Sequence, residues 1–505
     1  MRTIPELLAD TAAAVPDRVW LLSGDDTFTY AASRRAVAGT AAALAALGVG
    51  PGEIVLVVAR NHAAHVFTWL GLARLGAVML PVNPNSTVDE LVGFLEQVRP
   101  RLVVHDPRLD AIVAEATSRV DHEVTVVDVH DLAHGAATGA PAPALDPRDP
   151  VVLIPTSGTT GRSKLVTQTH QGYTLAAEGF PAWAGLTAAD RLITALPIFH
   201  INAPAYSLLG SMAVGASVVL LERYSPSRFL DAARRYEATE FNMIGAMLEM
   251  LMRQPERADD ADTPLRLCYT GPTPPRDRQL EIEARFGIEI VCGYGLSEST
   301  YGTFWPRGAR PYDTIGAARQ HPVLGHINDA RVMADGTEVP DGSVGELELR
   351  NPATMLGYHG MPEETAAVLV DGWLRTGDLV VRNPDETFTF VSRKKEVIRR
   401  RGENLAPSEV EAALVELPDI AEAAVIAVPS DLGEDEVKAF VIVARDHRLD
   451  VDGLPAELAT RLSRFKIPRF VEVVDELPRT PTGRVAKHRL PVERTSAETD
   501  FDARD

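Results

Sequence analysis

Cysteine is scarce in this chain, with only Cys268 and Cys292 among 505 residues. Two thiols set in apolar runs offer neither a disulfide framework nor metal-ligand spacing, so both are expected in a core, in a reducing compartment. Basic residues are also outnumbered, 50 Lys and Arg against 70 Asp and Glu, giving a formal net charge of −20. Such a balance disfavours nucleic acid and anionic membrane surfaces as partners. The opening residues Met1-Arg2-Thr3-Ile4-Pro5 lack the charged-then-apolar pattern of a secretory signal, and a cytoplasmic location is expected. Charge is missing altogether from Leu192 to Leu221, a stretch long enough to span a bilayer. Pro197, His200, Asn202, Pro204, Gly210 and Gly215 interrupt it. It therefore reads as strand, loop, short helix and strand buried in an α/β core, with no membrane partner.

What is present points to more than one domain with substantial cores. Ala36 to Leu47 reads as a helix, Ile54 to Val58 as a strand, and His65 to Leu75 as a second helix. Val78 to Pro81 and Leu102 to His105 continue the strand series. Alternation of this kind predicts parallel sheets covered by helices. Gly48, Gly50 and Gly52 precede a strand instead of following one, which weakens a dinucleotide-binding reading. The stretch from Gly135 to Pro150 reads as a surface linker. From about Ala317 to Val391 the pattern is rich in strands and turns, as in a small barrel-like subdomain. After Arg393 comes a compact αβ region, with a helix following Pro407 that carries Val410, Ala413, Leu414 and Leu417 on one face. Ala423 to Val428 and Val437 to Val443 are its strands. The polar tail from Thr495 is expected to be disordered.

The apolar run Val151 to Pro155 leads into Thr156-Ser157-Gly158-Thr159-Thr160-Gly161-Arg162-Ser163-Lys164. Glycines let backbone N–H groups converge, hydroxyls add donors and Lys164 adds positive charge, which suits phosphate. A flexible surface turn is the competing reading. The loop is not a Walker motif, since only Thr159 and Thr160 separate its glycines and the lysine follows three residues later. It resembles the signature loop of the adenylate-forming superfamily, which includes acyl-CoA synthetases, peptide-synthetase adenylation domains and luciferases.

Further segments carry that resemblance along nearly the whole chain. Leu196 to Asn202 is similar to the family segment whose histidine, here His200, lines the acyl site. Thr270-Gly271-Pro272-Thr273 resembles the loop that packs on adenine, although it departs from the usual small-residue version. In Gly293-Tyr294-Gly295-Leu296-Ser297-Glu298 the resemblance implies adenine stacking for Tyr294, phosphate contact for Ser297 and Mg²⁺ binding for Glu298. Asp378, in Gly372 to Leu379, matches the carboxylate that accepts from both ribose hydroxyls. Arg393 resembles a second ribose and phosphate contact, and Lys395 falls at the family's hinge. Arg401-Gly402 stands in the loop that lines the pantetheine tunnel, where Arg401 either binds CoA phosphate or narrows an unused tunnel. In Pro481-Thr482-Gly483-Arg484-Val485-Ala486-Lys487 the usual adenylation lysine is replaced by Arg484, with Lys487 as the other candidate cation.

The resemblance implies an α/β fold in which a large N-terminal domain holds two parallel-type sheets and a small β-barrel. A small mobile αβ domain follows. The expected division is 1–392, a hinge at 393–395, and 396–505. The implied activity is ATP-dependent adenylation of a small organic acid, then transfer to CoA. Phe241 to Met247 is closest to crotonobetaine/carnitine-CoA ligases. The alternative acceptor is an amine or a carrier-protein thiol, including nitrite activation for diazotisation. A protein that binds nucleotide without turnover is the rival from another class. Trp183, Asn202, Met243, Ile244, Thr300, Thr303 and Trp305, with His200, are the expected acid pocket.

Overall fold

The computed structural model describes residues 1–134, 143–156, 163–271, 274–306, 308–400, 403–429, 435–462, 464–480, 484–493, 495 and 497–501. By its contacts the chain forms two compact units. One comprises 1–330, 349–375 and 385–387, the other 331–348, 376–384 and 388–505.

Among the described residues the first unit holds a seven-stranded and a nine-stranded sheet. The seven-stranded sheet has a parallel body of Ile54–Val58, Val78–Val82, Leu102–His105, Thr125–Asp128 and Pro150–Thr156. Its far edge is antiparallel, formed by Lys164–Thr169 and then Gly357–Tyr358. The nine-stranded sheet has a parallel body of Val19–Ser23, Ser217–Leu220, Arg191–Thr194, Glu240–Asn242, Leu267–Thr270 and Glu289–Leu296. Ser299–Phe304 and Ala317–Ala318 extend it antiparallel beyond Glu289–Leu296. Strands such as Val78–Val82 are buried throughout, as expected of parallel strands covered on both faces.

The helix read from Ala36 begins at Tyr30 and runs to Ala46. Ser33, Arg34 and Arg35 interrupt the apolar pattern near its start, but the Thr29 hydroxyl accepts from the Ala32 N–H and caps it. The helix His170–Ala184 is started by Thr169, whose hydroxyl accepts from the Gly172 N–H, and stopped by Gly185 at φ 71°. The uncharged stretch from Leu192 resolves into Arg191–Thr194, a π-helix Ala203–Leu208, the helix Leu209–Val214 and Ser217–Leu220. Among the described residues no helix is long and apolar enough to cross a membrane.

The second unit holds the greater part of a curled sheet whose strands are Asp329–Ala334, Thr337–Glu338, Val344–Arg350, Leu369–Val370, Trp373–Arg382 and Phe388–Arg393. The hairpin Ile398–Arg400 with Glu403–Leu405 follows, and then the helix Pro407–Val415. Ile398, Leu405, Val410, Leu414, Val425, Val441 and Val471 form its core. The strands Ile420–Pro429 and Asp435–Val443 are antiparallel, and Phe470–Val473 runs parallel to the latter.

The expectation of a disordered tail from Thr495 is corrected here. Glu498–Asp500 forms a strand antiparallel to Phe470–Val473. Ion pairing helps to hold it, beside the packing of Phe501 on the core: the buried Lys438 ammonium lies 2.8 Å from Glu498 and 3.0 Å from Glu472, and Arg469 lies 3.1 Å from Asp500. Both cysteines are buried, as expected.

Glu240 opens a strand of the nine-stranded sheet with no exposed surface and, among the described residues, no hydrogen-bond partner for either carboxylate oxygen. Burial, aided by the charge of Asp190 and opposed by Arg266, raises its pKa well above the ordinary carboxylate value. A folded-state pKa raised above the unfolded one favours the fold at low pH, and this contribution is lost as pH rises from the unfolded pKa toward the folded one. Glu240→Gln is therefore expected to stabilise the protein at pH 8 by on the order of 1 kcal/mol, with little effect near pH 4.5. Urea denaturation at the two pH values checks this; an equal effect at both rules it out.

Candidate active site

The parallel strands of the nine-stranded sheet all end on one edge, where open α/β sheets bind ligands. His200 and Asn202 follow the end of Arg191–Thr194, Met243 and Ile244 follow Glu240–Asn242, and Gly271 follows Leu267–Thr270. Tyr294 and Gly295 lie near the end of Glu289–Leu296. The approach of these last two segments demands glycine, because a Cβ on Gly271 would lie 2.3 Å from the Gly293 carbonyl oxygen. The corresponding edge of the seven-stranded sheet is joined to this one through buried Asn61. Its amide donates to the carbonyls of Leu196 (2.9 Å) and Leu221 (3.2 Å), and its Oδ1 accepts from the Ile198 N–H (3.0 Å). The segment leading to His200 is thereby fixed by two hydrogen bonds, and the third ties it to the end of Ser217–Leu220.

Thr156 and Lys164 face each other at the open end of the antiparallel hairpin Pro150–Thr156 and Lys164–Thr169, and the Thr156 hydroxyl donates to the Lys164 carbonyl at 3.2 Å. The residues between, 157–162, lie outside those described, so the expectations for Ser157, Gly158, Thr159, Thr160 and Gly161 are not reached. Lys164 Nζ sits 4.5 Å from the centre of the Tyr358 ring. The Tyr358 hydroxyl donates to Glu298 Oε1 at 2.9 Å. One aromatic side chain thus stands between the cation and the carboxylate that the sequence singles out. Ser297 enters through its backbone: its carbonyl accepts from the Nε2 of buried Gln168 at 2.8 Å.

Tyr358 is placed by a short strand at the sheet edge. The Leu356 and His359 N–H groups donate to Thr167 and Leu165, and the Met355 N–H donates to the Glu298 carbonyl. Gly357 precedes it at φ 146°, where a Cβ would meet the Thr365 methyl at 2.7 Å, and Thr365 Oγ1 accepts from the Tyr358 N–H. Glu298 offers a single hard-oxygen donor. Among the described residues no group of three or more His, Cys, Asp or Glu is arranged to hold a metal. One carboxylate is the kind of donor set Mg²⁺ uses when water and phosphate complete its octahedron.

The expected acid-pocket residues divide by what their polar atoms do. Trp183 Nε1 donates to the Gln320 carbonyl at 3.1 Å, and its ring packs on Tyr301 and Phe304. The Thr300 hydroxyl donates to the Gly172 carbonyl, Thr303 to the Ile315 carbonyl, and Trp305 Nε1 to the Thr314 carbonyl. These donors serve the fold. Asn202 Oδ1 accepts from Asn242 Nδ2 at 2.8 Å, the His200 ring packs on Phe199, and Met243 is buried beside half-buried Ile244. The π-helix Ala203–Leu208, a form common at functional sites, presents Tyr206, whose hydroxyl donates to the Thr300 carbonyl.

In the second unit Asp378 and Arg393 are cross-strand partners, with Arg393 Nε 2.7 Å from the buried Asp378 carboxylate. Lys487 lies 2.8 Å from Glu411 and 3.2 Å from Glu396. Burial lowers its pKa, but those two carboxylates outweigh burial and raise it above the ordinary value. Arg484 is exposed. Pro272, Thr273, Arg401, Gly402 and the side chain of Lys395 lie outside what is described.

Sequence reasoning missed Tyr358, Gln168 and Asn61. A Gly-Tyr step followed by Thr365 was the available signal for Tyr358. The two amides act through long-range contacts with backbone and leave no local signature.

A family model of AMP-binding enzymes matches residues 8–359, and one for the AMP-binding enzyme C-terminal domain matches 409–484. A sulfoacetate–CoA ligase of Cupriavidus necator is 32% identical over 504 residues, covering 97% of each chain. A crotonobetaine/carnitine–CoA ligase of Salmonella enteritidis is 29% identical over 488 residues, covering 92% of this chain and 93% of that one. The o-succinylbenzoate coenzyme A synthetase of Bacillus subtilis, solved with ATP and a magnesium ion, superposes with a TM-score of 0.85 at 26% identity, over 96% of this chain and 98% of that one.

Tyr358→Phe keeps the ring under Lys164 but removes the donor to Glu298. It is expected to lower the rate of ATP–pyrophosphate exchange about tenfold, the equivalent of one charge-assisted hydrogen bond, with the melting temperature nearly unchanged. An exchange rate equal to that of the wild type would show that the hydroxyl does not serve Glu298.

Proposed function

This chain belongs to the family of AMP-binding enzymes, and from that premise we propose how its residues carry the reaction. The enzyme is an AMP-forming acid–CoA ligase that adenylates a carboxylic acid with ATP and passes the acyl group to CoA. The observation that carries the assignment of roles is the Lys164–Tyr358–Glu298 arrangement beside the strand ends.

In the first half-reaction a carboxylate oxygen of the acid attacks the α-phosphorus of ATP. The new P–O bond forms as the bond to pyrophosphate breaks, and the acyl adenylate stays bound. Catalysis rests on positioning and on neutralising phosphate charge, since the protein forms no covalent bond. Lys164 supplies a point charge to the phosphates at the mouth of its hairpin. Glu298, oriented by Tyr358, would hold Mg²⁺, which offsets phosphate charge when bound. Tyr294 stacks on adenine, Asp378 accepts from the ribose hydroxyls, and Arg393 holds Asp378 in place.

Arg484 is the second cation for adenylation. Its exposure supports this, and so does the engagement of Lys487 by Glu396 and Glu411. In the second half-reaction the CoA sulfur attacks the acyl carbon, the bond from that carbon to the phosphate oxygen breaks, and AMP leaves. The residues 396–505 turn about Lys395 against 1–392 between the two steps, exchanging Arg484 for the Arg401-Gly402 loop. The acid is a small one, and the enzyme works in the cytoplasm.

Two measurements test this reading. AMP release across small aliphatic and aryl acids, sulfoacetate and nitrite is expected to require both an acid and CoA. Pyrophosphate exchange without CoA-dependent AMP release would sink the thioester step. Arg484→Ala is expected to slow adenylation by roughly 10²–10³-fold, the typical cost of one aligned transition-state donor. Lys487→Met is expected chiefly to lower the melting temperature; the reverse pattern would make Lys487 the adenylation cation.

A further inference from the structure

Arginines of this protein with little exposed surface are matched to carboxylates. Arg285 lies 2.8 Å from Asp260, Arg400 lies 2.6 Å from Glu436, and Arg331 lies 2.7 Å from Glu348. Arg319 is different. It is half-buried, and its Nε donates to the Phe304 carbonyl at 2.7 Å. Its Nη2 is fully enclosed and, among the described residues, has no hydrogen-bond partner. Burial alone lowers its pKa, with no neighbouring charge acting in either direction. A guanidinium that has lost water without gaining an acceptor is costly to the fold. It also has a planar fork of donors suited to an oxyanion.

The surroundings of Arg319 are those of the expected acid pocket. It directly follows the strand Ala317–Ala318, which pairs with Thr303 and Phe304. Its own N–H points to the Gly302 carbonyl. The next residue, Gln320, receives the Trp183 indole N–H. Thr303 in turn pairs with Tyr294, so Arg319 stands two strand spacings, about 10 Å, from the backbone that carries the expected adenine platform. Neutral polar groups lie near it: Asn328 donates to the Gly302 and Arg319 carbonyls, and Thr303 to that of Ile315.

We propose that Arg319 receives a second anionic group on the substrate acid. The substrate is then a short dianion whose activated carboxylate lies a few bonds from another carboxylate or a sulfonate. This inference rests on the acid–CoA ligase reading and narrows it to a class of acid. The oxyanion would pair with the part of the guanidinium that is still accessible, so the cost of burying the cation is recovered on binding.

The test pairs each dianionic acid with a monoanionic isostere: succinate with butyrate, malonate with propionate, and sulfoacetate with propionate. Wild type, Arg319→Met and Arg319→Lys are compared with CoA and ATP. The wild type is expected to favour at least one dianion over its isostere by tenfold or more in kcat/KM. Arg319→Met should lower that dianion's kcat/KM about 100-fold while leaving the isostere within threefold, and Arg319→Lys should restore part of the preference. A sulfonate-only or carboxylate-only preference identifies the second group. Equal loss for both acids, or weakened ATP binding with no change in acid preference, overturns the proposal.

Acid binding is also followed without turnover, by thermal shift and calorimetry with a non-hydrolysable ATP analogue. Arg319-dependent binding of a dianion without AMP release would keep this inference and refute the ligase reading. Turnover of monoanionic acids indifferent to Arg319 would do the opposite, and failure of every dianion to bind the wild type counts against the inference. Arg319→Met without ligand is expected to melt at or above the wild-type temperature; a clear drop would assign the side chain to the fold.

Discussion

The arrangement of reactive groups in the first unit depends on one short stretch, residues 353–359, being sewn to two sheets at once. Its backbone N–H groups reach Thr167 and Leu165 on the hairpin and the Glu298 carbonyl on the other side. The Ala353 and Ser297 carbonyls both face the buried Gln168 amide. Buried backbone groups must find partners, so the stretch has little freedom to slide. Since Tyr358 belongs to it, the distance between Lys164 and Glu298 is set by main-chain register and not by flexible side chains.

A second constraint acts from further away. Parallel strands deliver their following loops to one edge, but they do not fix the loops themselves. Asn61 does this for the segment before His200, using both faces of one amide. Behind the edge lies an aromatic floor, with Phe180 against Tyr206, Tyr269 and Phe304, and Tyr269 stacked on Phe304. Full burial of each such ring is worth roughly 1.5–3 kcal/mol. The same floor leaves little for a polar pocket residue to bond except backbone, which is where the Thr300, Thr303 and Trp305 donors go.

Sequence pattern made the α/β alternation legible because parallel strands and covering helices differ in the spacing of apolar residues. Ile54–Val58 and Leu102–His105 carry that spacing from end to end, and their limits were read directly. Lys164 and Glu298 were singled out through motifs, since phosphate chemistry restricts which residue types suit such positions. Tyr358 was not, because its importance comes from meeting residues 60 and more positions away. Arg319 was not, because an arginine in a polar turn looks solvated until its donors are found enclosed. The strand Glu498–Asp500 was hidden for the opposite reason: acidic residues suggest solvent until a buried lysine is seen to need them.

That lysine also bears on how the protein is made. Lys438 emerges with Glu436 and the rest of its strand, but Glu472 and Glu498 arrive only later in synthesis. At about 5–20 residues per second, the interval from 438 to 498 lasts roughly 3–12 s. Until it has passed, docking the strand Asp435–Val443 as in the finished sheet would bury an ammonium without its full set of counter-charges. The nascent chain therefore has a built-in reason to postpone closing this sheet, and a folding helper that shields exposed apolar strands would find its client in that interval.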